Sequence, residues 1–264
     1  MFDHPFIMSL EFAFQDQHNL YMVMEFVNGG ELFYHLHSSA KPGFSQERAK
    51  FYAAQIVLAL EHMHSEGVVY RDLKPENILI DSQGYLRITD FGLSKVNKQV
   101  AGEDSFDRTT TFVGTLEYMA PEMMACKNYS NSVDWFSFGI LLFEMLSGKN
   151  PFKNEAQEAI DHSEVPRKIG EILGSENKLL AGEENSFSPE AYDLLEKLLR
   201  YDPELRIGCR EQGVDEIKQH PFFKAIDWDL IERKGMVAPF IPQIKNGDTD
   251  VSNFDTAFTT MSMD

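Results

Sequence analysis

Tyr70-Arg71-Asp72-Leu73-Lys74-Pro75-Glu76-Asn77, followed after a short interval by Asp90-Phe91-Gly92, constrains this chain more than any other stretch. Between the two segments, Ile78-Leu79-Ile80, the turn residues Asp81-Ser82-Gln83-Gly84 and the run Tyr85-Leu86-Arg87-Ile88-Thr89 predict a short β-hairpin. A hairpin returns the chain on itself, so Asp72, Asn77 and Asp90 come near one another. Carboxylates, a lysine and an amide oxygen gathered this way suit phosphoryl transfer, which needs positioning and charge neutralisation more than covalent chemistry. Asp72 can accept a proton from an incoming hydroxyl and aim it. Lys74 can reach the phosphoryl group being moved. Asn77 and Asp90 offer the hard oxygen ligands that Mg²⁺ prefers when it is shared with nucleotide phosphates. A charged surface turn is the plain alternative, and two motifs at this spacing set it aside.

The chain has 264 residues, enough for one large domain or two lobes with a sizeable core. At 43% hydrophobic and 12% aromatic it reads as globular. A formal net charge of -18 disfavours direct binding to a phosphate backbone, because nucleic-acid binders need a basic face. It fits a basic protein partner, although a solvated acidic surface accounts equally well for most of the charges. Cys126 and Cys209 make no disulfide framework and point to a reducing compartment. The opening Met-Phe-Asp-His-Pro has no signal-peptide character, and the longest apolar run, Phe138 to Leu146, is short and carries Glu144. The expectation is a soluble intracellular protein, cytoplasmic or nuclear, without a membrane partner.

Phe6 to Phe14 and Leu20 to Val27, separated by the polar turn Gln15 to Asn19, predict an antiparallel hairpin. A short helix should start at Glu31, and Ser45 should cap a long one running to about His64 and stopped near Gly67. His35 and His37, like His62 and His64, lie two apart, which turns the rings to different helix faces and argues against a metal pair. The polar stretch from Gly92 to Thr111 reads as an exposed, mobile loop. Val133 to Met145 is apolar enough to be buried on nearly all sides, and Pro166 to Leu173, Ser188 to Arg200 and Val214 to His220 add helical segments. From Phe222 the periodicity fades, and Pro239, Pro242 and Gly247 imply an extended strap. The fold class is α+β: strands first, then a helical main lobe.

The paired motifs resemble the catalytic and metal-binding loops of protein kinases, and nearly the whole chain is similar to serine/threonine kinases of the AGC group. Tyr70, where most kinases have histidine, is a mark of that group. Gly29-Gly30-Glu31-Leu32-Phe33, Gly114 to Met119 and Asp250 to Phe254 look closest to mitogen- and stress-activated kinases and their ribosomal-protein-kinase relatives. The resemblance implies a protein-kinase-like fold, with a two-strand remnant of the small lobe over 1–27, a large lobe over 28–223 and an extended C-terminal tail over 224–264. It implies ATP and Mg²⁺ as cofactors. Asp72 and Lys74 would be catalytic, with Asn77 and Asp90 on the metal. Met24 would be the gatekeeper, and the backbone of Glu25, Phe26 and Val27 would face adenine. Leu79 and Thr89 would floor the pocket, and Phe254 would lean on it. Glu122 and Arg206 would form an ion pair, and Asp134 would hold the catalytic-loop backbone.

The same resemblance matches Glu31, Glu76 and Glu144 to acidic residues that hold substrate arginines, since bidentate arginine–carboxylate pairs give geometric selectivity. The partners implied are basic proteins with a target Ser or Thr, and an upstream activating kinase. Thr115 would contact the catalytic aspartate and favour aliphatic hydroxyls. Thr111 matches an activation-loop phosphosite, with Thr109 and Thr110 as neighbouring alternatives, and a phosphate there could pair with Arg71 and Lys95.

The pattern breaks at the start. The first 40 residues contain no Lys or Arg, and no Gly-x-Gly-x-x-Gly precedes the catalytic loop. The glycine-rich loop, strand lysine and helix glutamate of a kinase are therefore missing from this sequence. Weak nucleotide affinity, reduced turnover and an exposed apolar hairpin edge are expected. Three readings stay open: a piece of an active kinase, a kinase-like competitor for substrates or regulators with little or no catalysis, or a kinase completed by another chain. The stretch from Asn154 to Pro166 is longer than in many relatives and has no assigned role.

Overall fold

The computed structural model describes residues 2–38, 42–96, 110–153, 162–173, 187–245, 247–254 and 259. The first two strands, β1 (Leu10–Gln15) and β2 (Leu20–Met24), pair antiparallel with Gln15 opposite Leu20. Asp16 closes their turn: its Oδ1 accepts the N–H groups of His18 and Asn19, both at 2.7 Å, and its Oδ2 accepts the Tyr21 hydroxyl. The hairpin is shorter than expected at its open end, starting at Leu10 and finishing at Met24. Residues 6–8 leave it and run beside Ile88, with Met8 N donating to Ile88 O and Ile88 N to Phe6 O, both at 2.8 Å. Phe6 and Ile7 are thereby buried in the main core, whereas Phe12, Leu20 and Met22 of the hairpin are exposed.

Helix α1 (Leu32–His37) follows Glu31, its N-cap residue. Helix α2 (Gln46–Ser65) starts where Ser45 Oγ accepts the Arg48 N–H at 3.2 Å. It buries thirteen of its residues, from Ala49 to His64, and ends before Gly67. It is the central post of the main lobe. Helix α4 (Ser132–Ser147), preceded by the single turn α3 (Pro121–Met124), has every residue from Ser132 to Leu146 buried. Helix α5 (Val165–Leu173) comes next, then α6 (Pro189–Leu198), capped by Ser188. Helices α4 and α6 approach so closely that a Cβ on Gly139 would sit 2.9 Å from Leu198 Cβ. The segment read as Val214 to His220 is the shorter α7 (Asp215–Lys218).

Strands β3 (Val68–Val69), β4 (Ile78–Ile80), β5 (Leu86–Ile88) and β6 (Lys95–Val96) lie on this helical body. The expected hairpin β4–β5 forms, with Ile78 opposite Ile88 and Ile80 opposite Leu86. Strand β6 pairs antiparallel with β3 and occupies part of the stretch read as loop. Residues 97–109 of that stretch, Thr109 among them, and most of the 154–166 insert lie outside the described residues. Beyond residue 223, the helix α8 (Trp228–Glu232) interrupts the expected aperiodic strap, because Asp227 caps it through Leu230 N at 2.9 Å. The strap then closes over the lobe. Lys234 Nζ meets Asp81 at 2.8 Å, and the Arg48 guanidinium lies over the rings of both Phe240 and Phe44, at 3.8 and 4.0 Å. Among the described residues no helix is long and apolar enough to cross a membrane.

Candidate active site

The loop from Tyr70 to Asn77 leaves β3 and enters β4, and its shape is imposed from beneath by Asp134 on α4. That carboxylate is 0% exposed. Its Oδ2 accepts the Tyr70 N–H at 2.9 Å and its Oδ1 the Arg71 N–H at 2.8 Å. Oδ2 also contacts His64 Nε2 at 2.8 Å. Arg71 has φ 70, a left-handed conformation rare for a residue with a Cβ. The two backbone bonds to Asp134 hold it there, so the chain reverses and presents Asp72.

Asp72 is buried and enclosed by hydrogen bonds. Its Oδ1 accepts Thr115 Oγ1 at 3.0 Å, and its Oδ2 accepts Asn77 Nδ2 at 2.8 Å and meets Lys74 Nζ at 3.0 Å. Lys74 Nζ also donates to Thr115 Oγ1 at 2.9 Å. Asn77 donates a further bond to the Asp72 carbonyl at 2.9 Å, and its own carbonyl accepts Thr89 N at 2.9 Å. That last bond ties the catalytic loop to the end of β5, where Asp90, exposed and with φ 56, accepts Gly92 N at 3.2 Å. The fully buried Tyr70 lies below: its hydroxyl donates to Thr89 O and its ring meets Phe91 edge-on at 5.5 Å. Burial, and after it the charges of Asp72 and Asp90, push the Tyr70 phenol well above its ordinary range, so it stays a neutral donor.

The residues expected to wall the adenine lie along β2, the segment after it and the β4–β5 hairpin, and Met24 is 45% exposed. Met24 ends β2, Val27 is buried, and half-buried Leu79 bridges to Glu31. Glu25 pairs with Arg87 at 3.3 Å, and half-buried Thr89 ends the run beyond β5. The strap reaches this region. Asn253 Nδ2 donates to Asn28 O at 3.0 Å, and the Phe254 ring stacks near Phe26 at 6.2 Å. A side chain at Gly29 would collide with Ile80 O and Pro242 Cγ, at 2.1 and 2.8 Å, so only glycine admits the strap there.

Glu144 lies under the loop's other side, 2% exposed. It accepts the Tyr118 hydroxyl on Oε2 and contacts His37 Nε2 at 3.0 Å on Oε1. Glu76 is nearby: desolvation, followed by repulsion from Glu144, raises its carboxyl above the usual range. Glu31 is the N-cap residue of α1, and its backbone bridges to Leu79. Arg71 directs its guanidinium away from Asp72, with Nε donating to Leu93 O at 2.7 Å and a terminal nitrogen to Tyr129 at 3.1 Å. The Tyr129 hydroxyl in turn donates to Thr111 O at 2.8 Å, so Arg71 and Thr111 share one intermediary. Lys95 stands in β6 opposite Val69. Glu122 and Arg206 form a buried two-pronged ion pair at 2.7 and 3.1 Å.

His37, His64 and Tyr129 escaped the sequence reading as parts of this site. Their partners lie 107, 70 and 58 positions away, and no local pattern announces such contacts.

Among the described residues no cluster of three or more His, Cys, Asp or Glu could hold a metal. One carboxylate at Asp90 and one amide at Asn77 suit an ion that keeps most of its shell from water and phosphate. The residues therefore fit shared magnesium and not an all-protein cage.

A family model described as "Protein kinase domain" matches residues 1–223. "Protein kinase 2" of Dictyostelium discoideum is 47% identical over 256 residues, covering 97% of this chain and 49% of the relative. The "RAC family serine/threonine-protein kinase homolog" of the same organism is 45% identical, covering 97% and 53%. "Ribosomal protein S6 kinase alpha-2" of Homo sapiens is 42% identical, covering 97% and 32%. The chain spans about half the length, or less, of the curated relatives it matches. With the matched model covering residues 1–223, which hold the catalytic loop and Asp90, the chain belongs to the protein kinase domain family, and its similar relatives are serine/threonine kinases of AGC type.

Proposed function

We propose that the chain takes part in transferring the terminal phosphoryl group of ATP to serine or threonine hydroxyls of basic proteins. The observation that carries this reading is Asp72, held by Thr115, Asn77 and Lys74 with both carboxylate oxygens engaged. In that setting Asp72 aims the incoming hydroxyl and accepts its proton. Lys74, bonded to Asp72 and Thr115, presents positive charge where the moving phosphoryl carries negative charge. Asn77 and Asp90 would hold Mg²⁺, which when bound neutralises charge on the nucleotide phosphates. Thr115 sets the depth at which a hydroxyl can approach Asp72.

Met24, the backbone of Glu25 to Val27, Leu79 and Thr89 would receive adenine, with Phe254 closing that side through Phe26. Glu31, Glu76 and Glu144 form the acidic ground for arginine two or three positions before the target. Thr111, linked to Arg71 through Tyr129, is the candidate for phosphorylation by an upstream kinase, with Lys95 as a second basic group. The working division is a small-lobe portion over 1–27, a large lobe over 28–223 and a tail over 224–264, in a cytoplasmic or nuclear protein.

The nucleotide side of the site is tested first. Thermal stabilisation by ATP that depends on Mg²⁺ and disappears in Asp90→Asn supports magnesium-nucleotide binding through Asp90; equal stabilisation of Asp90→Asn removes the metal role of Asp90.

A further inference from the structure

We infer that His37 is a displaceable cap on Glu144 and sets how strongly the site selects arginine; this rests on the proposed preference for basic substrates. The Glu144 carboxylate is filled on both oxygens, by the Tyr118 hydroxyl on one and His37 Nε2 at 3.0 Å on the other. Tyr118 is buried, and Glu144 has a side chain only 3% exposed. His37 is the partner that reaches solvent, at 28%, and it leans on the Phe33 ring at 4.6 Å. It comes from the last residue of α1, an element of six residues, whereas Tyr118 belongs to the turn that packs on α4.

A guanidinium approaching from solvent therefore meets His37 before it meets Glu144. To pair with Oε1 it must take the place of the imidazole. The vacated ring can swing along Phe33 without disturbing the Tyr118 bond that fixes Glu144. The cost of breaking the His37 contact is charged to every arginine that enters and to no substrate lacking one. His37 thus lowers arginine selectivity below what bare Glu144 would give, and leaves affinity for other peptides unchanged. It is a specificity-determining residue and takes no part in the chemistry.

The test is direct binding, which does not depend on turnover. Titration calorimetry measures Kd for a serine peptide with arginines two and three positions before the serine, and for the same peptide with alanines there. The full chain is compared with His37→Ala and His37→Gln. His37→Ala should tighten arginine-peptide binding by about fivefold, the net worth of one ordinary intramolecular hydrogen bond, and leave the alanine peptide unaltered. His37→Gln, which keeps a donor, should stay within about twofold of the parent. An arginine preference in the parent that His37→Ala leaves unchanged or weakens overturns this inference alone. Equal binding of both peptides by the parent overturns the basic-substrate reading and the inference with it.

Discussion

Asp134 holds Arg71: one carboxylate oxygen, deep in the core, accepts the Arg71 N–H at 2.8 Å and keeps that residue at φ 70. The other oxygen serves Tyr70 N and His64. A side chain with no access to solvent thereby decides where Asp72 points.

Asp134→Asn is the direct test of that arrangement. The amide keeps one acceptor but turns an N–H₂ toward donors, so a buried three-bond site loses at least one bond and gains a donor clash. The expected loss is about 2–4 kcal/mol in urea unfolding, with peptide phosphorylation falling further than stability alone explains. Unchanged phosphorylation at full stability would show that Arg71 keeps its conformation without Asp134.

Glu122 and Arg206 carry a structural prediction. Their side chains are 5% and 0% exposed, and Arg206 also donates to the carbonyls of Arg200 and Ser132. Glu122→Ala leaves a buried cation unpaired and should cost about 3–5 kcal/mol. Glu122→Leu combined with Arg206→Met, which removes both charges, should recover most of that. Denaturant midpoints of the single and double variants decide it, and equal destabilisation would mean that packing and not charge is at stake.

Stability should fall in mild acid. His4 is lowered from 6.5 to about 4 by burial first, then by the positive fields of His62 and Arg87. Its Nδ1 accepts Phe6 N at 3.3 Å and its ring stacks on His62 at 5.0 Å, an arrangement that favours the neutral form. Between those two values the unfolded chain holds the extra proton, so the contribution is complete above about pH 6.5 and is lost as pH falls toward 4. His35 and His220, both lowered by burial, act in the same direction. His4 alone should account for about 2 kcal/mol between pH 7 and 5. Urea midpoints of the parent should drop over that range more steeply than those of His4→Gln; parallel slopes would remove His4 from the account.

Much of this was legible in the residues. Short-range patterns carried the Ser45 cap, the turn at Asp16 and the β4–β5 hairpin, because each is decided within a few positions. The same holds for Asp72, Lys74 and Asn77, which sit in one loop, and for Asp90, which the hairpin returns to it. What stayed hidden depends on distant partners. Residues 6–8 look like the start of a hairpin strand, yet the unpaired edge at Ile88 draws them away. Lys95 and Val96 carry too little apolar pattern to announce a strand and pair only because Val68 and Val69 offer an edge. His64 and Tyr129 acquire their roles from side chains on other elements, which spacing along the chain cannot reveal.

The central claim is that Asp72 directs a serine or threonine hydroxyl onto the phosphoryl group. Radiolabelled transfer from Mg-ATP to an arginine-containing serine peptide, measured for the parent chain and for Asp72→Ala, tests it most directly. The account predicts slow, magnesium-dependent transfer by the parent and a fall of about 10²–10⁴-fold in Asp72→Ala, with nucleotide binding retained. Equal rates in the two proteins, or no transfer by a folded parent that binds Mg-ATP, would contradict it.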